Sequence, residues 1–298
     1  MIRRNMEVDV DGSIYASPLK MTAIITKSAD SDSPDFAEVQ LYNLNEDSRS
    51  RLTTKGKRMM ISAGHGDQIH AAFMGDIQVV TSRRENTEWI TTIIAGDGAT
   101  AMRQSVINKT YKSPVAVRDL IQDIATTSKI AKETEFIGID TSKIDILRGV
   151  TLTAPARKEL TRLCNPRGWT WNVQDDVLTI RDRNFSRENT AFLISVATGM
   201  VGSPEWINQG QTVTETGGET DLRIKVTTLA LPGIRPNDKL QIQTSSLEGR
   251  IGTFTFSRNR SDDMNDFFTA ERVTHRLDST EGDFVTEIEA TLQKDKDE

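Results

Sequence analysis

The chain has 298 residues, of which 36% are hydrophobic and 27% charged, and a formal net charge of −6. That length holds two domains or one large one, the composition is that of a soluble, polar-surfaced chain rather than a disordered one, and the charge argues against gripping nucleic acid by its phosphates. No segment reaches the roughly 20 apolar residues of a membrane helix, no apolar run follows the arginines of MIRRNMEVDVDGSIY to make a signal peptide, and the lone Cys164 excludes intramolecular disulfides and thiolate zinc sites.

Residues 1–107 read as β. MEVDVDG, KMTAIITKS, AEVQLYNL, RMMISAGHG, IHAAFMGDIQVVTSRR and EWITTIIAGDGA are short runs rich in Val, Ile, Thr and Met, divided by Gly, Asp, Asn and Ser clusters. That is the pattern of an antiparallel barrel or sandwich. In AEVQLYNL, Ala37, Val39 and Leu41 share one face, with Gln40 and Tyr42 on the other. The polar NEDSRSRLTTKGK predicts a short helical turn capped by Asn45 or Asp47.

Residues 108–183 form a small α+β module. Ser113 and Pro114 predict a helix start at N-cap and first position, followed by an apolar stripe of Val117, Leu120, Ile121 and Ile124. A second helix is expected over 156–165, ended by Pro166 and Gly168. Beyond it Asp175–Asp176 form the turn of a β-hairpin. Residues 184–298 return to β: LRIKVTTLAL, KLQIQTSS, GRIGTFTFSRN, AERVTHRLDS and DFVTEIEATL are strand candidates. TVTETGGET at 212–220 reads as a loop, and the tail QKDKDE as frayed. The fold class expected is mainly β with an α+β insert: two antiparallel barrels flanking a helix–hairpin module. A strand from 190–206 is the candidate to return and complete the first barrel.

A search for chemistry finds no constellation. His65 and His70, with Asp67 between them, are awkwardly spaced for joint metal ligation and read as turn residues. His275 has Asp278 as its candidate partner, but no Ser or Cys nucleophile stands in a recognisable context nearby. Cys164, at helical spacing from Leu160 and Leu163, reads as a buried hydrophobe. AGHGD, AGDGA and TETGGET lack a phosphate-loop ending. The acidic DSPDF, SDDMND and QDD match no EF-hand loop. Trp169 and Trp171 share a strand face, as a sugar-stacking platform or, more simply, as the cap of the module's core. The expectation is therefore no catalytic residue, no cofactor and no metal.

The arrangement nonetheless resembles a known family. VQLYNLNEDSRSRLTTKGKRMMISAGHGDQIHAAFMGDIQVV, through Tyr42, Asn43, Leu44, Gly56, Ala63, Gly64, Phe73, Gly75 and Ile77, is similar to the N-terminal barrel of phage tail baseplate hub proteins. His65 departs mildly, standing where an aromatic is common. AGDGATAM at 95–102 is similar to the passage that ends that barrel. VRDLIQDIA with LTRLCNPRGWTWNVQDDVLTIRDR is similar to the small domain that follows it. TGMVGSPEW, LPGIRPNDKLQIQTSSLEGRIGTFTFSRNRSDD and ERVTHRLDSTEGDFVTEIEATL resemble the second hub barrel.

The resemblance implies a structural virion component: a homotrimer whose two tube-like barrels per subunit make a pseudo-sixfold ring joining a hexameric tail tube to a trimeric central spike. Implied partners are the tail tube, spike, tape-measure and baseplate wedge proteins, with DNA only as cargo in the lumen and no membrane insertion. Assembly would take place in a bacterial host cytoplasm. The rivals are the hub part of a secretion-system or tailocin spike, and a cell-wall-binding or degrading tail enzyme using Trp169 and Trp171.

Overall fold

The computed structural model describes residues 3–30, 35–53, 58–97, 105–142, 146–183, 185–187, 191–207, 223–251 and 254–293, with the backbone alone for 245–251 and 254–264. Gly56, residues 98–102, the loop at 212–220 and the tail from 294 lie outside the described residues.

The N-terminal region is β1 (Arg4–Val10), β2 (Ser13–Ala16), β3 (Met21–Ser28), β4 (Phe36–Tyr42), α1 (Glu46–Leu52), β5 (Arg58–His65), β6 (Gln68–Glu85) and β7 (Glu88–Gly96). Ala37, Val39 and Leu41 all point into its core, fully buried with Val8, Ile25, Ile61 and Ile93. Period-two alternation thus fixes the inner face of each strand. The Asn45 side chain caps α1 by accepting the Ser48 N–H, which satisfies one of the helix's orphan donors. The short β2 was not legible in the sequence.

The insert is β8 (Lys109–Ala116), α2 (Val117–Thr127), β9 (Glu133–Ile137), β10 (Ile146–Leu152), α3 (Ala156–Cys164), β11 (Trp169–Gln174) and β12 (Val177–Asp182). α2 starts later than Ser113 and Pro114 predict: both lie in β8, and Ala116 takes the N-cap position without a side-chain cap. Pairing with β10 holds residues 109–116 extended, which overrides the local start signal. The stripe Val117, Leu120, Ile121 and Ile124 is fully buried against Leu160, Cys164 and Trp171. Gly168 (φ 70°) turns the chain out of the short 3-10 turn that follows α3, a left-handed position that suits glycine. The β11–β12 hairpin turns on Asp175 and Asp176, both at positive φ (51° and 67°), as a two-residue primed turn requires. β9 joins this hairpin in parallel through β12.

The C-terminal region is β13 (Phe192–Ile194), β14 (Met200–Ile207), β15 (Arg223–Leu229), β16 (Lys239–Ile251), β17 (Phe254–Asp278) and β18 (Phe284–Leu292). The order β16–β14–β15–β18–β17 closes on itself, because β17 also pairs with β16. Ile224, Val226, Ile242, Phe268 and Ile288 fill this closed barrel.

The strand expected to return from 190–206 does not complete the first barrel. β14 pairs with β15 and β16 instead. The joining strand is β17, whose Arg272–Asp278 segment pairs with β3 while its other edge pairs with β18. Its side chains serve both interiors: Phe268, Ala270 and Val273 lie in the second core, and Leu277 in the first.

One face therefore runs unbroken across both barrels in the order β6–β7–β4–β3–β17–β18–β15–β14, every neighbouring pair antiparallel. Val79, Ile94, Glu38, Ile24, Arg276, Val285 and Leu229 stand opposite one another in a single outward row along it.

Candidate functional site

The structure does not bring the sequence's reactive candidates together. His275 is fully buried on the seam between the two barrel cores, its Nδ1 2.9 Å from the Thr286 hydroxyl. Burial, assisted by the nearby Lys27 charge, pushes its pKa down to about 3, so the ring is neutral at physiological pH. Asp278 is not its partner. Three residues along one strand place the two on opposite faces, and Asp278 accepts from the Thr280 hydroxyl and the Thr280 and Glu281 N–H groups instead. Burial would raise the Asp278 pKa, but these donors hold it below the usual range.

His65 and His70 flank the β5–β6 turn without a shared ligand geometry, and no group of three or more metal-ligating side chains exists among the described residues. His65 packs edge-on against Phe284, with ring centroids 5.1 Å apart. Desolvation and the Arg4 charge lower its pKa. Cys164 is buried in the insert core, its thiol pushed up to about 12 by burial. It stays protonated and is not a nucleophile at neutral pH.

The tryptophan pair divides. Trp171 enters the insert core at 2% exposure and donates from Nε1 to Thr161 Oγ1 at 3.2 Å. Trp169 sits at the rim, with the Arg167 guanidinium 5.8 Å from its ring. The two do not present a flat stacking platform.

Sequence reasoning missed a polar joint where the insert meets both barrels. Its components are isolated charges at distant positions, with no spacing that could reveal them. From the first barrel come Lys27, Ser28, Asp35, Arg58 and Asp97. From the insert come Asn172, Asp175, Asp176, Lys132, Arg181 and Glu135. The second barrel contributes Arg187, Arg235, Asn237, Asp238 and Glu271.

The hairpin tip is clamped from both sides. Asp175 donates its backbone N–H to Asp97, and its carboxylate lies 3.6 Å from Lys27 Nζ and 3.7 Å from Arg235 Nε. Asp176 accepts from Arg58 and Lys132, each at 2.8 Å. Asn172 donates to the Ser28 carbonyl at 3.1 Å. Arg181 Nη2 is 3.0 Å from both oxygens of Glu271. Arg187 bridges Glu135 and Asp238, its one contact to the latter 2.6 Å long.

The electrostatics of this joint are uneven. Burial pushes Asp97 up to about 7, despite the Asp175 N–H it accepts. Asp35 is raised well above the carboxylate range, again by burial, with Lys27 opposing. Burial would raise Asp176 as well, but its two cationic donors outweigh that and lower it. A cleft of about 320 Å³ opens beside the joint, lined by Arg181, Arg183, Arg223, Asp30 and Glu271 among others. These ion pairs and hydrogen bonds tie the insert to both barrels. No nucleophile–base pair occurs among them.

The described residues form a β-rich chain whose two barrels share a strand and an unbroken outer face, and known proteins have the same fold. The chain is similar to the 43 kDa tail protein of prophage MuSo2 from Shewanella oneidensis, with a TM-score of 0.63 at 9% identity over 96% of this chain and 98% of that one. It is similar to a tail protein from Neisseria meningitidis MC58, with a TM-score of 0.59 at 13% identity over 98% and 97% of the two chains. It also matches the E. coli c3393 protein, described as a component of the type VI secretion system, with a TM-score of 0.60 at 10% identity over 97% of this chain and 77% of that one. These identities establish a shared fold. No curated protein sequence matches the chain. Among the described residues no helix is long and apolar enough to cross a membrane. The family model described as baseplate hub gp41 matches residues 1–216, more than half of the chain, and the chain belongs to that phage baseplate hub family.

Proposed function

We propose that the protein is the structural hub of a phage tail baseplate: a homotrimer whose subunits each supply two tube-like barrels to a pseudo-sixfold ring. The ring joins the hexameric tail tube above to the trimeric spike below. Tape-measure and wedge proteins contact it during assembly in the host cytoplasm, and DNA passes through its lumen. The observation that carries this reading is the face continuous across both barrels through β17. Two barrels fused side by side in one sheet occupy two of six positions, so three copies fill the circle. The division into a first barrel at 1–107, an insert at 108–183 and a second barrel at 184–298 belongs to the same proposal, with β17 serving both barrels.

The outer face also suits a channel for a polyanion. Arg276 and Lys225 on that face share the Glu287 carboxylate, at 2.9 and 3.1 Å, which weakens their hold on passing phosphates. The protein acts without catalysis: His275 is neutral and buried, and Cys164 protonated and buried. Reconstruction of intact tails tests the proposal. Three copies in a ring between tube and spike are expected, and six copies would overturn it.

The likeness to the E. coli secretion-system component favours one second reading, the hub part of a secretion or tailocin spike. A particle purified with this chain but containing no capsid or DNA would support that alternative.

A further inference from the structure

We propose that the cleft between the insert and the second barrel binds a carboxylate carried on an extended peptide, either an acidic side chain or a chain end. This site plays no part in the ring reading above. Its floor comes from three neighbouring strands of the barrel. Arg223, Thr291 and Thr269 stand opposite one another across β15, β18 and β17. Their neighbours Ile224, Ala290, Phe268 and Ala270 fill the barrel core, so alternation turns this row outward. The insert lines the other side with Arg181, near the end of β12, and Arg183 just past it. Ile180 lies in the insert core, which turns Arg181 away from that core and toward the barrel.

The cleft holds more positive than negative charge. Arg181 is matched by Glu271, whereas Arg183 and Arg223 have no acidic partner among the described residues. Asp30 is the other carboxylate among the described lining residues, so three guanidiniums face two acids. Arg181 Nε is buried without a hydrogen-bond partner among the described residues, and an unsatisfied buried donor is rare enough to need a reason. Thr269 Oγ1 accepts from Gln293 Nε2 at 3.2 Å, which leaves its own O–H to donate into the cleft. Guanidinium forks and a hydroxyl converging on one space are the donors that a carboxylate takes up.

Size and lining select among anions. At about 320 Å³ the cleft stands at the small end of the roughly 300–1,000 Å³ typical of ligand pockets. It has room for one acid-bearing group with its flanking chain. No aromatic ring occurs among its described lining residues, so a nucleotide base or a sugar finds nothing to stack on. The surplus of one positive charge matches a monoanion, whereas a phosphate monoester brings nearly two negative charges. The hydroxyls of Thr170 and Thr291 on the cleft walls both donate and accept, which suits the peptide groups beside the acid.

Calorimetric titration of the full chain tests the site with four probes. They are a blocked glycine peptide with a central glutamate, its glutamine counterpart, an acetylated glycine peptide with a free C-terminus, and inorganic phosphate. The glutamate peptide, the free-ended peptide or both are expected to bind, the tighter one naming the source of the carboxylate, and the glutamine peptide is not. Arg183→Gln and Arg223→Gln are each expected to weaken that binding about tenfold at an unchanged melting temperature. Arg223→Lys keeps the charge without the fork and should fall between. The contrast between glutamate and glutamine peptides on the wild type needs no variant to fold. Equal binding of those two peptides, binding of neither carboxylate probe, unchanged affinity in both glutamine variants, or tighter binding of phosphate than of either carboxylate would overturn the proposal.

Discussion

Arg181 and Glu271 face each other across the seam between insert and second barrel, with Nη2 3.0 Å from both carboxylate oxygens. Their exposures differ: the arginine side chain keeps 4% and the glutamate 23%. Glu271→Gln leaves a nearly buried cation without its counter-charge and is expected to cost about 3–5 kcal/mol. Arg181→Met removes the buried charge itself and leaves a carboxylate that water can reach, so it should cost less. Urea unfolding of the isolated variants ranks them, and the reverse order would show that the arginine's burial does not control the pair.

Asp97 gives the joint a pH dependence of definite sign. Its folded pKa, about 7, lies above the ordinary 3.8. Its contribution is therefore fully present below about pH 4 and lost as pH rises through 7. Asp35 acts in the same direction. Asp97→Asn keeps an acceptor for the Asp175 N–H without the charge. The variant is expected to match the wild type near pH 4 and exceed it by roughly 2 kcal/mol at pH 8. Denaturant titrations at the two pH values check this, and a difference that does not grow with pH refutes it.

His275 works the other way. Its folded pKa of about 3 lies below the ordinary 6.5, so stability is complete above pH 6.5 and lost as pH falls toward 3, where the unfolded chain takes up a proton that the folded one refuses. His275→Met should flatten that acid limb. His275→Ala, in contrast, should leave any wall-degrading activity of the particle unchanged. Wall hydrolysis by the isolated wild-type protein that vanishes in His275→Ala would make the protein an enzyme.

The tryptophans separate by burial. Trp171→Ala is expected to cost about 3–5 kcal/mol, as for other buried large-to-small changes. Trp169→Ala, at the rim, should cost about 1–2 kcal/mol from the smaller area it covers. Thermal unfolding followed by insert-specific fluorescence distinguishes the two, and equal losses would contradict the packing described.

Much of the architecture was legible because alternation and helical stripes are local: Val39 and Leu41 in β4, and Leu120 and Ile124 in α2, are buried as their spacing requires. β8 and β10 were not legible, since KTYKSPVA and ILRGVTL are mostly solvent-facing and carry little apolar period. The dual membership of β17 was hidden because it is decided by partners far away in sequence. The resemblance picked out Gly64 and Gly75 without giving a reason. At Gly64 an added Cβ would fall 1.8 Å from the Gln68 carbonyl oxygen, and at Gly75 2.9 Å from the Gly96 backbone. Backbone approach of that kind leaves room for hydrogen alone.

The single strand that belongs to both barrels has a mechanical consequence. Hinges between domains sit in loops or element ends that absorb torsion, and a strand bonded along both edges offers neither. Tilting one barrel against the other would have to shear the β17–β3 and β17–β18 ladders together. Load applied at one barrel is therefore carried to its neighbour as through a welded beam, so the pair moves as one stiff piece.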